Sequence, residues 1–184
     1  MPRIQPVEYE QATSEARAAF DRTVQELGRI TNMKRTLLHS MPAFKALMEW
    51  YPLRDTVKPF LGERLTTLFA HAISADTDCL VCSTYFRRTL VESGENPDEF
   101  DLDERERAVL DFGRCLAQPF ARVPGEVYTR LAAELNDEEI VALTAFGALM
   151  LATNVFNNAL EVELDDYLEP YRKSSPAGPG DAEA

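Results

Sequence analysis

The chain is poor in cysteine, histidine and positive charge, and each shortage narrows what it can be. Three cysteines in 184 residues, with no apolar leader in the opening Met-Pro-Arg-Ile-Gln-Pro-Val-Glu, argue against a disulfide-stapled secreted scaffold. Two histidines and a single C-x-x-C fall short of the four ligands that a structural zinc site requires. Lys and Arg number 19 against 31 Asp and Glu, for a net charge of -12. That balance removes phosphate neutralisation, the main driving term of nucleic-acid binding, and disfavours anionic membrane surfaces. No apolar run approaches the roughly 18 residues needed to span a membrane. These shortages predict a cytoplasmic protein with neither nucleic-acid nor membrane partners and no metal.

What the chain does have is helical periodicity. Its length supports one domain with a sizeable core. Residues 1–9 read as an extended arm. Thr13 or Ser14 caps a helix to about Leu27, with Ala16, Ala19, Phe20, Val24 and Leu27 on its apolar face, and Gly28 stops it. Asn32 opens a short turn through Leu37 and Leu38, and Ser40 caps a further helix from near Pro42. Pro52 and Pro59 bracket an expected connection. From Leu61 the apolar positions Leu65, Leu68, Phe69, Ala72 and Ile73 form a helical stripe. Asp76, Thr77 and Asp78 supply a cap for a helix over about 78–93. Asp103 caps the next. A short helix follows Pro124-Gly125, and Asn136 begins a long apolar one through Val155 and Phe156. A last helical piece is expected over 160–168, then a disordered tail over 174–184. No segment alternates with period two. The prediction is an all-α single domain over 1–173.

Cys79 and Cys82 stand at the start of a predicted helix, three residues apart and therefore on one face. Helix N-terminal amides stabilise a thiolate there, and a neighbouring thiol can resolve an oxidised partner. Cys115 stands alone in a helical pattern and reads as a small buried hydrophobe.

Four stretches together resemble the carboxymuconolactone decarboxylase-like superfamily, on its AhpD-like, peroxidase-related branch. They are Asn32 through Pro42, the helix 61–75 leading into the C-x-x-C, Glu104 through Phe112, and Leu135 through Leu160. The resemblance implies an AhpD-like helical bundle. It also implies a thiol-dependent alkylhydroperoxidase that needs no bound cofactor, only a hydroperoxide and an external thiol or protein reductant. In the related peroxidases the second cysteine is peroxidatic, which maps to Cys82, with Cys79 resolving. The same resemblance implies a homo-oligomer, a trimer or hexamer. The chain departs from the family motif at three of five polar positions: Thr67 stands where the glutamate belongs, and Val81 and Phe86 where the two histidines belong.

His71 and Tyr85 are the candidates to replace that lost proton relay. His71 shares a stripe with Glu63 and Thr67, and Tyr85 follows Cys82 by three on the same helix. Two other readings stay open: a catalytically silent or small-metabolite-binding member of the superfamily, and a carboxymuconolactone decarboxylase-type lyase.

Overall fold

The computed structural model describes residues 1–173, and the tail expected over 174–184 lies outside the described residues. Helix α1 runs Ser14–Leu27, with the Thr13 hydroxyl accepting from the Ala16 amide at its start. Helices α2 (Asn32–Leu37) and α3 (Met41–Met48) follow, capped by Thr31 and Ser40. The centre of the molecule is α4, Trp50–Asp76. The remaining helices are α5 (Leu80–Glu92), α6 (Glu104–Ala117), α7 (Gly125–Glu134) and α8 (Asp137–Leu160). Among the described residues there is no strand.

Two expectations about boundaries need correction. The segment between Pro52 and Pro59 is helical, not a connection. Pro52 lies in the first turn of α4, where its missing N–H costs no bond. Pro59 lies inside the helix, and three residues later Gly62 breaks it with φ 79° and ψ 166°, a left-handed φ that glycine adopts without strain. The piece expected over 160–168 is also different. Glu161 turns left-handed and ends α8, Val162 and Leu164 tuck inward from an irregular segment, and a 3-10 turn spans Asp166–Tyr171.

Helix α4 packs against α5, α6 and α8. Its fully buried Phe69 and Ile73 meet Phe146 and Met150 of α8 and Val109, Leu110 and Phe112 of α6 in one continuous core. A smaller cluster joins Ala16 and Ala19 of α1 to Leu37, Leu38 and Phe44. Met33 and Phe156 border both clusters. Cys115 is partly buried against the main core.

Helix α8 is, contrary to the reading above, long and apolar enough to cross a membrane by length and composition. Thr144, Gly147, Thr153 and Asn154 interrupt its apolar residues and mask this in the sequence. Its inner face buries Leu143, Phe146, Gly147 and Met150 in the core. Its outer face leaves Val141 and Val155 exposed.

The approach of α8 to α4 depends on Gly147. A Cβ there would meet Leu116 Cδ1 at 2.6 Å, Phe69 Cζ at 3.1 Å and Ile73 Cδ1 at 3.3 Å. Gly147→Val therefore overpacks the α4–α8 contact and is expected to cost about 2 kcal/mol, read as a lowered urea midpoint with an unchanged slope. A midpoint equal to wild type would show that the contact yields without cost.

Candidate active site

A three-residue turn joins α4 to α5 and sets the position of both thiols. Thr77 ends α4, its amide bonding the Ile73 carbonyl at 3.1 Å and its hydroxyl the same oxygen at 2.8 Å. Asp78 takes a left-handed φ of 50°. The Cys79 amide returns to the Ser74 carbonyl at 3.0 Å. Cys79 is then the N-cap of α5, in place of the aspartates expected there, and Cys82 is the third residue of the helix. Both are buried, and neither forms a disulfide.

Helix α8 clamps this turn with three asparagines. Asn154 Nδ2 donates to Thr77 Oγ1 at 2.8 Å, and Ser74 Oγ donates to Asn154 Oδ1 at 3.5 Å. Asn158 Nδ2 donates to the Thr77 carbonyl at 2.9 Å. Asn157 addresses the sulfurs themselves: its Nδ2 stands 3.2 Å from Cys82 Sγ and 3.8 Å from Cys79 Sγ. Its Oδ1 is buried without a partner. A buried polar side chain is costly unless satisfied, so an asparagine left half-satisfied beside two thiols points to chemistry there rather than to stability.

The two thiols share their environment unequally. Cys79 is brought down to about 7, first by the hydrogen bond from the Cys82 thiol. The backbone amides of Cys82 and Val81 and the side-chain amide of Asn157 add to this, against the opposing effect of burial. These amides stabilise the sulfur by proximity, without a regular capping bond. Cys82 is pushed well up, by donating to Cys79 and by its own burial. The pair therefore gives up one proton easily and holds the second.

Cys82, Val81, Tyr85 and Phe86 border a largely apolar cavity of about 90 Å³, with Trp50 and Tyr51 also on its wall. Phe86 lies 6.1 Å from Trp50, ring centre to ring centre. The two positions that would carry histidines in the related peroxidases thus form pocket wall. Thr67, at the glutamate position, is buried and spends its hydroxyl on the Glu63 carbonyl at 2.9 Å within its own helix.

The sequence-derived candidates separate here. Cys79, Cys82 and Tyr85 come together at one site. His71 does not join them: it neither lines the cavity nor bonds either sulfur. Its ring packs edge-on to Phe100. Burial, and then the positive charges of Arg87 and Lys173, push it down to about 4, so it is a neutral packing imidazole at pH 7.

Three residues at the site were not among the expected ones. Asn157 had a legible signal, a polar pair with Asn154 one turn apart on the core face of an apolar helix. Lys34 and Asp165 line the cavity but come from opposite ends of the chain, and nothing in the sequence links them. Among the described residues no three His, Cys, Asp or Glu are grouped to hold a metal.

No family model matches the chain, and no curated protein does. Solved structures do. The apo debrominase Bmp8 superposes with a TM-score of 0.76 at 20% identity, over 91% of this chain and 95% of that one. The same debrominase, as a cysteine-to-alanine variant in complex with 2,3,4-tribromopyrrole, gives 0.76 at 19% over 91% and 94%. The AhpD core of an uncharacterized peroxidase-related protein from Ralstonia eutropha JMP134 gives 0.72 at 18% over 91% and 94%. At such identities the likeness is one of fold, and it extends over nearly the whole of each chain: this protein is an AhpD-like helical bundle.

Proposed function

We propose that the chain is a dithiol oxidoreductase that reduces small organic hydroperoxides through Cys82 and Cys79. The observation that carries this reading is the placement of Cys82 at the wall of an apolar cavity, with Asn157 bonded to its sulfur and Cys79 behind it. Cys79 holds the resting negative charge and takes the thiol proton of Cys82 as Cys82 attacks. The Cys82 sulfur displaces an alkoxide from the hydroperoxide, forming an S–O bond as the O–O bond breaks. Tyr85, also on the cavity wall, donates a hydrogen bond to the leaving alkoxide. Cys79 then attacks the Cys82 sulfenic acid and water leaves, with the Cys79 proton carried off in it. The alkoxide takes a proton from solvent, so the sum is hydroperoxide plus one thiol, one thiolate and one proton to alcohol, water and a disulfide, and an external dithiol restores the reduced pair. No histidine or glutamate is needed, because the second thiol acts as the base.

A second reading is favoured by the aromatic wall of the cavity, with Trp50, Tyr51, Tyr85 and Phe86 around one sulfur. Structural neighbours of this fold include a debrominase complexed with 2,3,4-tribromopyrrole. The same dithiol could take bromine from such a ring. Cys79 would then displace bromide, a proton would replace bromine on the carbon, and the same disulfide would result.

We also propose that the chain self-associates through α8. Val141, Ala145, Ala148, Ala152 and Val155 recur at spacings of four and three and are all exposed, the heptad seam by which helices pair.

Two experiments test these readings. One equivalent of cumene hydroperoxide should rapidly consume two thiols in wild type and leave the remaining Cys79 thiol intact in Cys82→Ser. Asn157→Leu should slow the reaction roughly tenfold or more, the loss expected for a hydrogen bond to a charged group. Thiol loss no faster than that of free cysteine would rule out the peroxidase, and faster bromide release from 2,3,4-tribromopyrrole would establish the second reading. Separately, light scattering at micromolar concentration should give an oligomer that Val141→Glu with Val155→Glu converts to monomer; a monomeric wild type would refute the α8 seam.

A further inference from the structure

The cavity beside Cys82 contains buried polar groups that the protein itself does not match. Lys34 is only 5% exposed, although lysine is rarely buried unless paired. Its ammonium sits 5.0 Å from the centre of the Tyr51 ring. Burial brings it down to about 8, partly offset by the negative charge of Asp165. Asp165 in turn accepts from the Asn32 amide at 2.9 Å through Oδ1, while its Oδ2 is buried with no partner. Lys34 and Asp165 attract each other but make no ion pair within 4.0 Å. The indole N–H of Trp50 is likewise buried and unpartnered. All three side chains line the one cavity, and most of the remaining wall is aromatic or aliphatic.

An unmatched buried donor or acceptor is expensive, so a ligand that satisfies this set is recognised by it. A carboxylate would suit Lys34 and be repelled by Asp165; an amine would do the reverse. A hydroxyl serves both, accepting from the ammonium and donating to Oδ2. The cavity, at about 90 Å³ and open on one side, has room for no more than one small ring, and Trp50, Tyr51, Tyr85 and Phe86 offer it π surfaces.

We propose that the pocket selects a small aromatic ring bearing a hydroxyl, a phenol-class ligand, with the hydroxyl held between Lys34 and Asp165 and the ring against the aromatic wall. This rests on the reading that Cys82 attacks a molecule bound in this cavity, and it narrows that molecule to a hydroxylated aromatic that also carries the hydroperoxide or the bromine the sulfur attacks. Lys34 and Asp165 then decide specificity, and Trp50 offers its N–H to an acceptor elsewhere on the ring.

The test separates ligand recognition from thiol chemistry by using the Cys79→Ser/Cys82→Ser protein, which cannot turn over. Trp50 is the only tryptophan in the chain, so its fluorescence reports on the pocket alone. Under mildly acidic conditions, para-nitrophenol should quench it saturably. The methyl ether para-nitroanisole, which cannot donate, should bind about tenfold more weakly. Lys34→Met, which keeps an unbranched side chain while removing the charge, should weaken para-nitrophenol by a similar factor. Equal affinity for the two probes, equal affinity in wild-type and Lys34→Met backgrounds, or no saturable quenching would overturn the proposal. Failure here would leave the dithiol reading standing, and intact binding with inert thiols in the wild type would sink that reading alone.

Discussion

One side-chain amide reaches two buried sulfurs. Asn157 Nδ2 lies within bonding distance of Cys82 Sγ and Cys79 Sγ, and much of the structure serves to bring it there. It sits near the C-terminal end of α8, so α8 must lie close against α4, which Gly147 permits by leaving space for Phe69, Ile73 and Leu116. The sulfurs must be held still, which Asn154 and Asn158 achieve by bonding Thr77 in the turn before them. The turn must deliver Cys79 as an N-cap, which the left-handed Asp78 allows. An asparagine in the interior of an apolar helix is a stability cost. Two buried on the same face, both spent on one turn, mark where the fold gives up stability for the site.

The proposed chemistry follows from that geometry. Where the related peroxidases are implied to carry glutamate and two histidines, this chain has a threonine bonded within its own helix and two apolar residues in a pocket wall. In the proposed reading, ligand space stands where a relay would be. A thiol pair can tolerate this because each member can supply what the other needs: helix amides and Asn157 favour a thiolate on Cys79, and a thiolate is a base for the buried Cys82. The pocket beside Cys82 is aromatic with a lysine and an aspartate in it, a composition suited to a ring with a polar edge.

Much of this was legible in the sequence, and the rest was hidden for identifiable reasons. The helices were readable because their caps are local: Thr13, Ser40, Asp103 and Asn136 each accept from an amide three residues on. The C-x-x-C was readable because its spacing is itself a statement about one helix face. The misreading at 52–59 came from treating both prolines as breakers, whereas Pro52 is tolerated in a first turn and α4 runs through Pro59 to break only at Gly62. His71 was placed at the site by projecting a helix stripe without knowing what packs on it; its ring meets Phe100. Lys34 and Asp165 could not be found at all, since only the tertiary fold brings α2 next to the segment after α8.

The central claim is that this dithiol is activated without a histidine or glutamate, by sharing one proton under the influence of Asn157 and the start of α5. Thiolate absorbance titrated against pH in a Cys115→Ser background tests it most directly. A depressed value means charge is gained as pH rises through it, so one thiolate should appear through about 7, with the second held well above the ordinary range. Asn157→Leu should move the first step upward. Two thiols titrating together at the ordinary value of about 8.5, unchanged in Asn157→Leu, would contradict it.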